Sequence, residues 1–285
     1  MKRTAEAIVF PCLGERLVGV LERPETPALV GVVIVVGGPQ YRAGSHRQFV
    51  ALARGLADQG FPVLRFDYRG MGDSSGVPTP FDSTAEDIGA AVSELRSRCP
   101  SVNKVVLWGL CDGASAALLY QAAGGGARIG GLCLLNPWVR SEATLARTQV
   151  KHYYGQRLLE PEFWRKFLRG DIKVVASVRE LLAKLRLSTS NAPVADSAQP
   201  FQTRMAGALR AFKGPVLVIL SGHDYTAKEF LEYAGSDPAW AGVLASAGIV
   251  RRELPDADHT FSSAILRAQC EQATLQWLRE IEAAA

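Results

Sequence analysis

Short apolar runs alternate with longer amphipathic stretches over most of the 285-residue chain. An apolar, β-branched run predicts a buried strand at residues 30–36, and further strands are predicted at 62–66, 105–110, 129–135 and 216–220. Helical spacing of apolar residues predicts helices at 45–60, 83–95, 111–123 and 261–281, with Ser45 and Ser83 as N-caps of the first two. Two short antiparallel strands precede them, at 7–11 and 17–21. This alternation predicts an α/β fold with a mostly parallel sheet and helices on both faces.

The pattern changes between residues 137 and 213, where no convincing strand occurs. Helical periodicity continues there, and residues 188–200 form a polar, proline-containing stretch. We therefore expect a core made of residues 1–136 and 214–285, with a helical insertion at 137–213. Tyr153, Tyr154 and Trp164 of the insertion either line a substrate pocket or hold the insertion together.

The clearest candidate for chemistry lies where residues 105–110 meet the next helix. There Gly109 and Gly113 flank Cys111 at two positions on either side. A strand–turn–helix with this spacing is typical of a nucleophile elbow, in which a strained backbone exposes the central side chain at a helix N-terminus. The glycines are expected because bulk at either position would collide with the turn. Cys111 would stand where serine is more common.

Two further residues downstream could serve such a nucleophile. Asp224 follows the strand at 216–220 after three intervening residues, and His259 lies beyond the strand predicted at 248–250. His259 would accept the thiol proton of Cys111, and Asp224 would orient the ring. Each residue has another interpretation. Cys111 could be a buried cysteine at a turn, Asp224 a helix cap and His259 a structural histidine. Asp256 and Asp258 are rival carboxylates.

These motifs resemble the α/β-hydrolase superfamily, and residues 63–74 look like the strand-and-turn block that precedes its elbow. Together with the cysteine elbow, residues 37–49 resemble the exosortase A system-associated hydrolase 1 family. The resemblance implies an α/β-hydrolase fold in which the insertion is a cap, in a protein associated with exopolysaccharide and protein-sorting systems. Asp67 and Arg69 are predicted to brace the turn at 70–72.

The resemblance also implies an oxyanion hole. Its donors would be the backbone N–H of Asp112, after the nucleophile, and that of Gly38, in a loop where Val36 replaces the usual histidine. Pro39 has no N–H to offer, so Gln40 is the alternative donor. A plain turn at these glycines is the other interpretation.

A cysteine nucleophile narrows the substrates. A thiolate leaves as readily as it attacks, so the tetrahedral adduct reverts unless the substrate has a good leaving group. The sequence therefore predicts a hydrolase of esters or thioesters that forms an acyl-cysteine intermediate and needs no cofactor. An acyltransferase, or a non-catalytic binding protein on the same fold, remains open.

Charge and cysteine usage complete the expectations. The net charge is +4, but residues 137–213 hold 14 Lys or Arg against 6 Asp or Glu. This basic segment suits a small anionic acyl substrate, or it is simply a solvated surface. We expect no nucleic-acid partner, metal site or transmembrane segment, and a cytoplasmic location. The cysteines besides Cys111 are expected to be buried, except Cys99, which is expected to be exposed.

Overall fold

The computed structural model describes residues 2–38, 40–126, 129–140 and 199–284. The chain divides into two compact units, residues 1–138 with 199–285, and residues 139–198. All the described strands and helices lie in the first unit.

The described strands form one sheet, in the order β1-β2-β4-β3-β5-β6-β7-β8. Their bounds are β1 Arg3–Cys12, β2 Glu15–Pro24, β3 Val30–Val35, β4 Val63–Phe66, β5 Lys104–Leu110, β6 Ile129–Leu135, β7 Val216–His223 and β8 Ile249–Asp258. β2 runs antiparallel to both β1 and β4, and all other neighbouring strands are parallel. The predicted mostly parallel sheet is confirmed.

The described α-helices cover both faces of this sheet. Their bounds are α1 Gln48–Asp58, α2 Ala85–Arg98, α3 Asp112–Ala122, α4 Phe201–Ala211, α5 Tyr225–Ser236 and α6 Ala264–Ala283. Trp108 of β5 donates to Thr274 of α6 at 3.3 Å, which places α6 on its face. Gly31 of β3 pairs with Val105 of β5. It faces Leu95 of α2, which lies on the opposite face of the sheet from α6. The alternation of side chains along a strand explains both placements.

The helix α4 lies in the predicted insertion but belongs to the first unit. Two contacts hold it there. The ring centroids of Phe201 and Phe81 lie 5.2 Å apart, and the indole N–H of Trp240 donates to the Gln202 carbonyl at 3.1 Å. Residues 141–198 lie outside the described ranges, so the insertion stays a prediction.

Three local predictions are wrong. Ser45 opens a short 3-10 helix rather than α1, because Arg47 has a left-handed φ of 58° that interrupts the helical path. α2 begins after Thr84, one residue beyond Ser83, without a side-chain cap. Cys99 is 1% exposed despite its polar neighbours.

Candidate active site

The turn between β5 and α3 has the geometry of a nucleophile elbow. Cys111 occupies it with φ 60° and ψ −127°, a strained conformation for a residue with a side chain. A Cβ atom on Gly109 would lie 2.5 Å from the Gly113 carbonyl oxygen, and one on Gly113 would lie 2.4 Å from that of Val35. The predicted steric need for glycine on both sides is confirmed.

Neighbouring backbone fixes the elbow from the β6 side. The N–H of Cys111 donates to the Leu135 carbonyl at 2.9 Å, and the Cys111 carbonyl accepts from the N–H of Trp138 at 3.2 Å. The strand end is tied to β7 by Asn136, whose side chain both accepts from the Ser221 N–H and donates to its hydroxyl, each at 2.9 Å. Because this pair is buried, it fixes the end of β6, which contacts the elbow, against β7, whose end precedes Asp224.

The histidine and the aspartate that the chain order predicts are in contact. Nδ1 of His259 lies 2.8 Å from Oδ2 of Asp224. The other oxygen of Asp224 accepts from the Thr226 N–H at 3.0 Å and caps α5. One carboxylate therefore caps a helix and orients the ring, so the two interpretations of Asp224 are compatible.

The ring of His259 also reaches the thiol. Hydrogen bonds to Asp224 and then to Cys111 raise the pKa of His259 to about 10, against the opposing effect of burial. With Nδ1 engaged by the carboxylate, Nε2 is the nitrogen left for the sulfur. The His259 side chain is 34% exposed and that of Asp224 6%, so the ring is open to approach while the carboxylate is shielded. The structure thus brings Cys111, His259 and Asp224 together.

The two other carboxylates near His259 in the sequence, Asp258 and Asp256, have other surroundings. Asp258 accepts from the N–H groups of Thr260 and Ser262, at 3.2 and 2.9 Å, and from the Ser262 hydroxyl. It shapes the loop that presents His259. Asp256 is exposed on β8.

The region of the expected oxyanion hole contains a feature that the sequence did not reveal. Gly38 adopts φ 61° after β3, and a Cβ on Gly37 would lie 2.3 Å from the Leu110 carbonyl oxygen. Loop and elbow therefore touch through backbone. The side-chain carboxyl of Asp112 lies among these groups: burial raises its pKa, while the N–H groups of Gly38, Asp112 and Gly113 oppose the rise.

The side-chain oxygen of Gln40, the alternative donor, is bonded within its own loop. Oε1 of Gln40 accepts from the N–H of Ser45 at 3.3 Å, within its own loop. Pro39, like the predicted pocket residues Tyr153, Tyr154 and Trp164, lies outside the described residues.

Asp67 braces the loops near the site, as predicted. This 1% exposed carboxylate accepts from the N–H groups of Arg42 and Asp73, at 2.7 and 3.1 Å, and pairs with the Arg42 guanidinium. It thereby joins the loop after Gly38 to the turn after β4. Arg69 instead pairs with Asp87 of α2, at 2.9 Å. Its backbone N–H also donates to Asp87 at 2.9 Å, which holds the residue before the turn against α2.

Two features are absent from the described residues. No group of three or more His, Cys, Asp or Glu side chains there is arranged to hold a metal ion. None of the helices in those ranges has the length and apolar character that crossing a bilayer requires.

Comparisons with known proteins agree with this fold. The family model described as "Alpha/beta hydrolase family" matches residues 32–269, a range that includes the elbow and the His259–Asp224 pair. The Pyrococcus furiosus esterase PF2001 superposes with a TM-score of 0.65 at 15% identity, covering 98% of this chain and 91% of that one. At this identity the superposition shows a shared fold.

Two curated proteins share shorter segments. Human protein ABHD12B is 40% identical over 86 residues, which are 30% of this chain and 23% of that protein. The quorum-quenching protein AidA of Acinetobacter baumannii is 33% identical over 107 residues, or 36% of this chain and 34% of that protein. The matches thus span no more than about a third of either relative's length.

Proposed function

The chain belongs to the alpha/beta hydrolase family, and we propose that it hydrolyses carboxylic esters or thioesters with the thiol of Cys111 as nucleophile. The observation that carries this proposal is the placement of His259 between the Asp224 carboxylate and the thiol. The fold shared with an esterase supports the reaction class.

The reaction would proceed in two halves. His259 takes the thiol proton of Cys111 through Nε2, and the sulfur attacks the substrate carbonyl carbon. The oxyanion accepts hydrogen bonds from the N–H groups of Gly38 and Asp112. As the adduct collapses, the bond to the alcohol or thiol breaks and His259 protonates that leaving group. The product is an acyl-cysteine.

Water completes the cycle. His259 removes a proton from water, whose oxygen attacks the acyl-cysteine carbonyl. The carbon–sulfur bond breaks, the carboxylic acid leaves, and the proton returns to Cys111. The raised pKa of His259 favours the imidazolium that exists after each proton transfer, and Asp224 stabilises that charge.

The nucleophile constrains the leaving group. Because thiolate departs from the tetrahedral adduct as easily as it enters, productive collapse requires an alternative of similar quality. Thioesters, activated esters and lactones meet that requirement, and amides do not. We further propose, from the resemblance to the exosortase A system-associated hydrolases, that the acyl substrate belongs to exopolysaccharide production. The unpaired state of the described cysteines supports a reducing, cytoplasmic compartment for this activity.

Mass spectrometry and thiol labelling test the proposal. Incubation with acyl-CoA thioesters should add one acyl group to Cys111, and Cys111→Ala should lower turnover by about 10³-fold or more. Full activity in Cys111→Ala would exclude the mechanism. An acyltransferase would give the same adduct but pass the acyl group to an added alcohol or amine, which product analysis detects.

Two histidine variants test whether His259 activates the Cys111 thiol or whether Cys111 reacts only because it is exposed. Iodoacetamide should modify Cys111 before the four buried cysteines, and His259→Ala should slow that modification. His223→Ala is the control, because His223 is an exposed histidine next to Asp224. Equal slowing by both variants, or by neither, would favour a non-catalytic binding protein.

A further inference from the structure

The side chain of Asp112 occupies the place that the proposed reaction needs for its oxyanion. Its Oδ1 is inaccessible to solvent and has no hydrogen-bond partner of normal geometry among the described residues. The same oxygen would lie 2.4 Å from a Cβ on Gly37, so it is pressed against the loop that follows β3. The N–H groups of Gly38, Asp112 and Gly113 are its polar surroundings.

These N–H groups cannot serve two anions at once. An oxyanion that forms on a Cys111-bound substrate would require the N–H groups of Gly38 and Asp112, and both now face the carboxyl. The two negative charges would also repel each other in a site of low dielectric. Substrate therefore has to displace the carboxyl before the adduct can be stabilised.

Oδ1 of the carboxyl has no well-formed hydrogen bond, which makes displacement feasible. A buried acceptor without a well-formed hydrogen bond is in an unfavourable environment. Two other titratable groups face it. The charge of His259 favours the ionised carboxylate, and Asp112 in turn helps raise the pKa of the buried Tyr68 phenol.

We propose that the Asp112 carboxylate is a resident occupant of the oxyanion hole that restrains Cys111 from reacting with carbonyl compounds until substrate displaces it. This inference rests on the proposed function. It makes Asp112 a positioning residue that selects for substrates with enough binding energy to expel the carboxylate. Small activated esters, which bind weakly, are held back the most.

Removing the carboxyl should release the site. Asp112→Ala should raise kcat/KM for 4-nitrophenyl acetate about tenfold near pH 8, the factor expected when one competing charged hydrogen-bond acceptor is removed. Asp112→Asn should give a smaller rise, because the amide oxygen can still accept from the same N–H groups but carries no charge. Glu86→Ala is the matched control, since Glu86 is an exposed acid in the first turn of α2.

Iodoacetamide distinguishes this inference from the proposed function. Its reaction with sulfur forms no oxyanion, so Asp112→Ala should leave the labelling rate of Cys111 within about twofold of the parent while ester turnover rises. If Cys111→Ala abolishes turnover but Asp112→Ala does not raise it, the inference alone fails. If Cys111→Ala leaves turnover intact, the proposed function fails.

The direction of the change decides the role of the carboxyl. A fall in kcat/KM of about tenfold or more in both Asp112 variants, with unchanged labelling, would mean that the acid form donates a hydrogen bond to the oxyanion and would overturn the proposal. The ratio of Asp112→Ala to parent activity should also shrink as the pH falls, because a protonated carboxyl no longer competes. A ratio that does not change with pH would contradict the competition.

Discussion

The close approach of β3 to the start of α3 can be tested by adding one methyl group. In Gly113→Ala the new Cβ would lie 2.4 Å from the Val35 carbonyl oxygen and 3.0 Å from the Gly37 nitrogen. Both are backbone atoms that cannot rotate away, so loop and helix must separate by roughly 1 Å to reach ordinary contact. Overpacking of this kind costs about 1–3 kcal/mol, and replacing glycine in a helix returns about 1 kcal/mol.

We expect a net loss of up to about 2 kcal/mol in the free energy of unfolding of Gly113→Ala, measured by urea denaturation. Gly207→Ala is the matched control, because Gly207 lies in α4 with nothing within 4 Å of its Cβ position. That variant should gain about 0.5–1 kcal/mol. A Gly113→Ala protein as stable as the control would refute the proposed contact. Ester turnover should fall with stability, since the separation also carries Gly38 away from the elbow.

Three further perturbations probe the groups around the site. His259→Gln should destabilise the protein more near pH 6 than near pH 10, because a folded-state pKa of about 10 adds stability that disappears as the pH rises through that value. Urea unfolding of parent and variant at the two pH values measures the loss of stability. An equal loss at both pH values would contradict the prediction. Asp224→Asn should keep the cap on Thr226 and remain about 1 kcal/mol more stable than Asp224→Ala, although both lose turnover; identical melting curves would exclude the cap. Asp67→Asn should cost about 3 kcal/mol in urea unfolding because the Arg42 guanidinium loses its buried partner; a loss below about 1 kcal/mol would mean that the ion pair contributes little.

Much of the fold could be predicted because its strands are covered on both faces. Every residue of β3 is buried, and such a strand appears in the sequence as an unbroken apolar run. β8 illustrates the limit of this signal. The sequence predicts a strand only at its first residues, whereas β8 extends from Ile249 to Asp258. The rest gives no signal in the sequence because most of its side chains are exposed at the sheet edge. Edge strands need no continuous apolar sequence.

The candidate site could be predicted as far as backbone rules determine it. Glycine spacing indicated the elbow, and chain order indicated Asp224 and His259, because strand ends in a parallel sheet meet at one edge. Contacts that depend on side-chain packing gave no such signal. The Asn136–Ser221 pair joins residues 85 positions apart, and Arg42 and Asp67 are 25 positions apart. Polar residues of these types are more often at the surface.

Asp112 connects these two kinds of information. An elbow that exposes Cys111 must turn sharply, and the turn brings the next residue's side chain toward the loop after β3. Glycine at 37 leaves room there for a carboxyl oxygen that a Cβ would exclude at 2.4 Å. The backbone features that create two free N–H groups for an oxyanion thus also make a space that an acidic side chain at position 112 can enter. Reactivity of the cysteine is then set by the competition between that side chain and the substrate, as well as by the thiol and its histidine.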